Sequence, residues 1–233
     1  MWDRFIQAFS IMVSILLAFA IDAWWEDSQE RERYLAQLNT LKVEFQAARE
    51  ELDWQRQRLL SNRAAIAQIL EWAGHDPAPV SFERLTEQID LTFRGAAINL
   101  QTGALRALVS SGVIGHMQQQ ELLGLLAEWP TYMVDAQSQT TLLLHNREEI
   151  IRYLHPRIPT IEVAYHTGQM GAYPRTSFVG DAETLLSDME FEGLMGNRGM
   201  LVEDSLLYVA ELEKRLERAL TLIEREFADS GLN

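Results

Sequence analysis

Between Met1 and Ala73 the chain contains neither glycine nor proline. Nothing in this stretch breaks a helix, and its apolar residues recur with a helical period. Tyr34, Leu38, Leu41, Phe45, Ala48 and Leu52 are followed by Leu59, Ile66, Ile69 and Ala73, with Gln55 and Asn62 filling two slots. The steps alternate four and three, which is a heptad seam. One unbroken helix over this range is about 100 Å long. Trp54 and Trp72 fall off the seam. Gly74-His75-Asp76-Pro77-Ala78-Pro79 supplies the glycine stop and proline block that end such a helix.

The start of this helix has a different character. Phe5 to Ile21 is a run of 17 residues without charge. Asp22 interrupts it, and Ala23, Trp24 and Trp25 extend it to about 20 residues, enough to span roughly 30 Å of hydrocarbon. Trp2, Trp24 and Trp25 stand where an interfacial aromatic belt belongs. Residues 1–25 therefore read as a transmembrane anchor and 26–233 as a helical domain. Ala18-Phe19-Ala20 resembles a signal-peptidase site, but the helical pattern runs on past it, so an uncleaved anchor is favoured. Gln7, Ser10, Ser14, Ala18 and Asp22, spaced 3, 4, 4 and 4, form a small and polar stripe. Small residues let helices approach closely and polar ones bond across the contact, so this stripe is the expected helix–helix surface. A carboxylate at Asp22 is costly within a bilayer unless paired, protonated or hydrated.

Beyond Pro79 the pattern stays helical. Ser81 can cap a helix over Phe82–Phe93, and Thr102 a second one that Gly112 closes. Another helix begins near Gln118, is kinked or restarted at Pro130, and ends at His155-Pro156-Arg157-Ile158-Pro159. Residues 156–180 form the one long irregular segment. A last helix covers about 182–227, with a break expected at Gly193–Gly199. Its later half aligns Leu206, Val209, Leu212, Leu216, Leu220, Ile223 and Phe227. No convincing alternation for a strand occurs. The fold class expected is all-α: an N-terminal transmembrane helix that continues into a long amphipathic helix and an antiparallel bundle.

Composition narrows the chemistry. Thirty-four acids against 20 bases give a net charge of −14, which argues against nucleic-acid partners. Cysteine is absent, excluding disulfides and thiolate chemistry. The five histidines, His75, His116, His145, His155 and His166, include no pair at i,i+3 or i,i+4. No nucleotide-binding or hydrolase motif is present. No cofactor, metal or catalytic residue is expected, and the chain reads as a non-enzyme.

The stretch Ile15-Leu16-Leu17-Ala18-Phe19-Ala20-Ile21-Asp22-Ala23-Trp24-Trp25-Glu26 resembles the start of an uncharacterised family of bacterial single-pass membrane proteins. In that family an apolar run ends Ala-x-x-Ile-(Asn/Asp)-x-Trp-x-Glu, a pattern filled here by Ala18, Ile21, Asp22, Trp24 and Glu26. Gln101-Thr102-Gly103-Ala104-Leu105, Ser110-Ser111-Gly112, Trp129-Pro130 and Leu222-Ile223-Glu224-Arg225-Glu226 are similar too. The resemblance implies an inner-membrane protein with a helical domain on the periplasmic side and no assigned activity.

The expected function is a membrane-anchored interaction or scaffold protein. Its partners would be the lipid bilayer and either further copies of itself or a membrane protein. The alternative is a sensor-like ligand-binding bundle, with the 156–180 segment over a pocket, that signals through a partner.

Overall fold

The computed structural model describes residues 2–94, 98, 100–168 and 170–229, with the side chains of residues 3–8, 10, 11 and 113 left undescribed. Seven α-helices and one short 3-10 helix make up the described secondary structure, with no strand among the described residues. α1 spans Trp2–Trp72, 71 residues without interruption. α2 covers Phe82–Phe93, α3 Gly103–Ser110, α4 Gln120–Leu154, α5 Ile161–Tyr165, α6 Glu183–Leu186 and α7 Met189–Asp229.

The long helix is as its sequence dictates. Tyr34, Leu38, Leu41, Phe45, Ala48, Leu52, Leu59, Ile66 and Ile69 are all buried, as are Gln55 and Asn62 in the same seam. Trp54, off the seam, is exposed, with the Arg58 guanidinium 3.9 Å above its ring. Gly74 follows with φ 77°, a left-handed conformation that glycine adopts without steric cost.

The expected bilayer anchor is not supported. Among the described residues no helix is long and apolar enough to cross a membrane. This overturns the assignment to the inner membrane as a single-pass protein with a periplasmic domain.

The chain divides into two compact units. The first comprises Met1–Ala47, Gln101–Leu126 and Arg218–Asn233; the second comprises Ala48–Leu100 and Ala127–Glu217. In the second, α1 and α7 run antiparallel, since Arg56 pairs with Glu213 at 3.2 Å and Arg63 with Glu203 at 3.8 Å. α4 and α7 are antiparallel as well: Tyr208 donates to the carbonyl of Tyr132, and Arg198 to that of Leu143. The core of this unit joins Ile69, Leu85, Ile89, Ile150, Leu186 and Phe191.

Short helices gain their ends from charged side chains on the long ones. Arg198 is buried without a carboxylate partner. Its Nε and Nη2 donate to the Thr92 carbonyl at 3.2 and 2.8 Å, and its Nη1 to the Leu143 carbonyl at 2.6 Å. Thr92 lies in the last turn of α2, so the cation meets the negative end of that helix. Asn62 adds a bond to the Arg94 carbonyl at 3.1 Å. The start of α2 is capped as expected, with Ser81 Oγ accepting from the Arg84 amide. At α3 the expected Thr102 cap makes no side-chain bond. Glu44 takes its place, accepting from the Ala104 amide at 2.9 Å.

In the first unit Glu226 is buried and accepts from Tyr34 Oη and from the amides of Gln118 and Gln119, each at 2.9 Å. These amides immediately precede α4, where donors lack helical partners. Asn146 is buried with neither side-chain amide atom bonded, and nothing in the structure accounts for it.

One expectation about breaks is narrowed and one is corrected. α4 runs through Pro130 as one helix, so no new helix starts there. α7 runs without interruption through Gly193, Gly196 and Gly199, where a break was expected; the chain turns before Met189 instead. Each exposed interior glycine costs about 0.5–1 kcal/mol relative to alanine, too little to stop a 41-residue helix whose apolar face is buried.

Leu38→Asp and Leu52→Asp place an unpaired carboxylate in the seam, at a cost of several kcal/mol. Thermal denaturation followed by circular dichroism should show loss of folded structure or a fall in Tm beyond 10 °C, roughly. Val43→Asp, on the exposed side of the same helix, should change stability by less than about 0.5 kcal/mol.

Candidate interaction surface

The first part of α1 presents apolar side chains that no described residue covers. Met12, Val13, Ile15, Leu16, Leu17, Phe19, Ile21, Trp24 and Trp25 are each 45–68% exposed. At 100° per residue they spread around the whole helix circumference. A helix apolar on all sides is one that another body buries. Trp2 and Phe9 are exposed too.

Ser14, Ala18 and Asp22 are exposed and share one face, as their spacing of four requires. Gln7 and Ser10 lie in α1, but their side chains fall outside the described ones. Trp24 and Trp25 are consecutive, so they point about 100° apart, and Trp25 falls nearer the Ser14–Ala18–Asp22 face. Acids follow at once: Glu26, Asp27, Glu30 and Glu32. His116 reaches Glu30 at 3.3 Å and lies beside the Tyr34 ring.

Other candidate chemistry stays dispersed. His145 sits 3.5 Å from Glu149, and His166 bonds Thr86 at 3.1 Å. Among the described residues no group of three or more histidines and carboxylates is placed to hold a metal ion. An open surface hollow of about 500 Å³ is lined by His155, Arg157 and Thr160 on one side and Thr176, Phe178 and Val179 on the other. A second open hollow, of about 440 Å³, is lined by Ser61, Gln68 and Glu71 of α1 and Arg84, Gln88 and Leu91 of α2. Within the irregular segment Ile161–Tyr165 forms a short helix.

Beside the first hollow stands a polar cluster that sequence reasoning missed. Asp188 caps α7, accepting from the Glu190 amide at 2.8 Å, and also accepts from Tyr153 Oη at 2.6 Å. The Tyr153 hydroxyl and the Glu190 amide hold the Asp188 carboxyl below the usual carboxylate range, with Arg157 adding a charge 3.6 Å away. Burial and the same hydrogen bond push the Tyr153 phenol up. Arg157 stacks 3.8 Å from the Tyr153 ring. The four groups satisfy one another at the start of α7. Burial, then Glu226, likewise pushes the Tyr34 phenol up, and burial with Arg147 nearby brings the Arg198 guanidinium down to about 10.

No family model, curated protein or solved structure matches this chain.

Asp188 supplies a pH test. A carboxyl depressed in the folded state stabilises above its unfolded pKa, and that contribution is lost as pH falls through the folded one. Tyr153→Phe should bring the Asp188 pKa back up toward the ordinary carboxylate value in an NMR titration. It should also shrink the stability that the protein loses on acidification below about pH 4.

Proposed function

We propose that this protein is a non-enzymatic helical interaction protein that associates, with itself or with another helical protein, through the first part of α1. The observation that supports this reading is the uncovered apolar surface of residues 12–25. Its nine large side chains expose on the order of 1,000 Å², against about 300–600 Å² for the largest apolar patch of a typical monomer and about 800 Å² per partner in a stable interface. The contact face assigned to it runs along Gln7, Ser10, Ser14, Ala18 and Asp22, where small side chains permit close approach. Serine and aspartate offer hydrogen bonds worth about 0.5–1.5 kcal/mol each, which add specificity to apolar burial. The dispersed histidines and the mutually satisfied Asp188 cluster also favour a binding role over catalysis.

The chain has no cysteine, so single cysteines report contacts directly. Cysteines at Ser14, Ala18 or Asp22 should crosslink to a second copy or to a partner. In the same assay Ser14→Leu and Asp22→Leu, each paired with a reporter elsewhere, should lower crosslinking several-fold, while Leu16→Ala, off the stripe, does little. If a poly-leucine replacement of residues 2–25 preserves every crosslink, the stripe has no binding role. If no protein crosslink forms and the segment partitions instead into phosphatidylethanolamine–phosphatidylglycerol vesicles, the association reading fails.

A further inference from the structure

α7 carries three glycines within its first three turns, and crowding inside the protein requires none of them. A Cβ on Gly199 would meet Ile66 Cγ2 at 3.5 Å, an ordinary van der Waals contact. At Gly193 and Gly196 nothing lies within 4 Å of where a Cβ would stand. Neither has a positive φ. Alanine would fit both positions and would favour the helix.

These two glycines share a line along α7 with Met189, Met200 and Leu207, at steps of 4, 3, 4 and 7. The three large side chains are 82%, 63% and 72% exposed. The face is therefore a bare backbone saddle with uncovered apolar side chains at either end. Carboxylates border it: Glu190 and Glu192 at one end, Glu203 and Asp204 at the other. Arg157 touches Glu190 at 3.4 Å and Arg63 touches Glu203 at 3.8 Å, while Glu192 and Asp204 have no ion pair among the described residues. The only base between residues 189 and 207 is Arg198, which is buried.

We infer that this face of α7 docks a basic amphipathic helix of another protein, crossing at Gly193–Gly196. Glycine on a helix surface admits the backbone of a second helix more closely than any other residue does. Methionine is unbranched and polarizable, and it moulds to whatever apolar anchors that helix brings. Charge selects the occupant. A second copy would set the same four carboxylates against themselves on a chain of net charge −14, whereas lysines or arginines flanking an apolar stripe would complement them. This surface is distinct from the start of α1 and does not depend on the reading given for it.

The test uses the full chain and two fluorescent 20-residue peptides with the same Leu/Ala face, one flanked by lysines and one by glutamates. The lysine peptide should bind saturably at 0.1 M salt, roughly, and weaken at 1 M as screening shortens. The glutamate peptide should not bind. Gly196→Leu, with helicity checked by circular dichroism, fills the saddle and should weaken binding at least tenfold. Gly193→Ala with Gly196→Ala should raise Tm by about 2–4 °C per substitution, showing that the fold itself has no use for these glycines. Undiminished binding by Gly196→Leu, a fall in Tm for the double alanine variant, or association of two copies through this face would each overturn the inference.

Discussion

A buried charged group is tolerable only when its hydrogen-bonding capacity is met, and here buried Arg198 and Glu226 meet theirs at helix ends. A helix end leaves several backbone donors or acceptors unpaired, and a helix of eight or twelve residues has few internal bonds with which to offset them. The long helices answer this with carboxylates at the starting ends and with a guanidinium at a finishing end. Glu226 takes the amides before α4, Glu44 takes one at α3, and Arg198 takes the last turn of α2. In each case the sign of the charge matches the helix dipole that it faces.

The long helices were legible in the sequence because their signals are periodic and redundant. Nine apolar seam positions in α1 agree with one another, so polar residues at Gln55 and Asn62 do not blur the pattern. Ser81 was legible as a cap because its bond is local, to an amide three residues on. Thr102 misled for the complementary reason: the residue type was right, but a carboxylate 60 residues away in the chain reached the same end of the helix. The glycines of α7 misled because local propensity is worth about 1 kcal/mol and burial of the Phe191, Met195, Val202 and Val209 face outweighs it.

The start of α1 shows how far a charge-free run reaches. It identified an apolar helix there, and the exposed side chains of residues 12–25 agree. With its flanking tryptophans it also suggested a bilayer, which the described residues do not support. One signal for the buried caps was present and went unread. Arg198 and Glu226 both occupy slots in the four-three rhythm of α7, between Met195 and Val202 and after Ile223. A full charge in a seam slot must be satisfied by something the seam faces, and backbone ends of short helices are the candidates that need it most.

These caps also impose a schedule on the newly made chain. Residues 92 and 198 are joined across 106 positions, 118 and 226 across 108, and Tyr34 and Glu226 across 192. While a ribosome is still adding α7, α2 has its sequence but lacks part of what holds it, and an isolated helix of that length is marginal in water. Contacts so distant in sequence must wait for loop closure. Until α7 emerges, the Thr92 carbonyl and the Gln118 and Gln119 amides lack the charged partners that finish these helix ends.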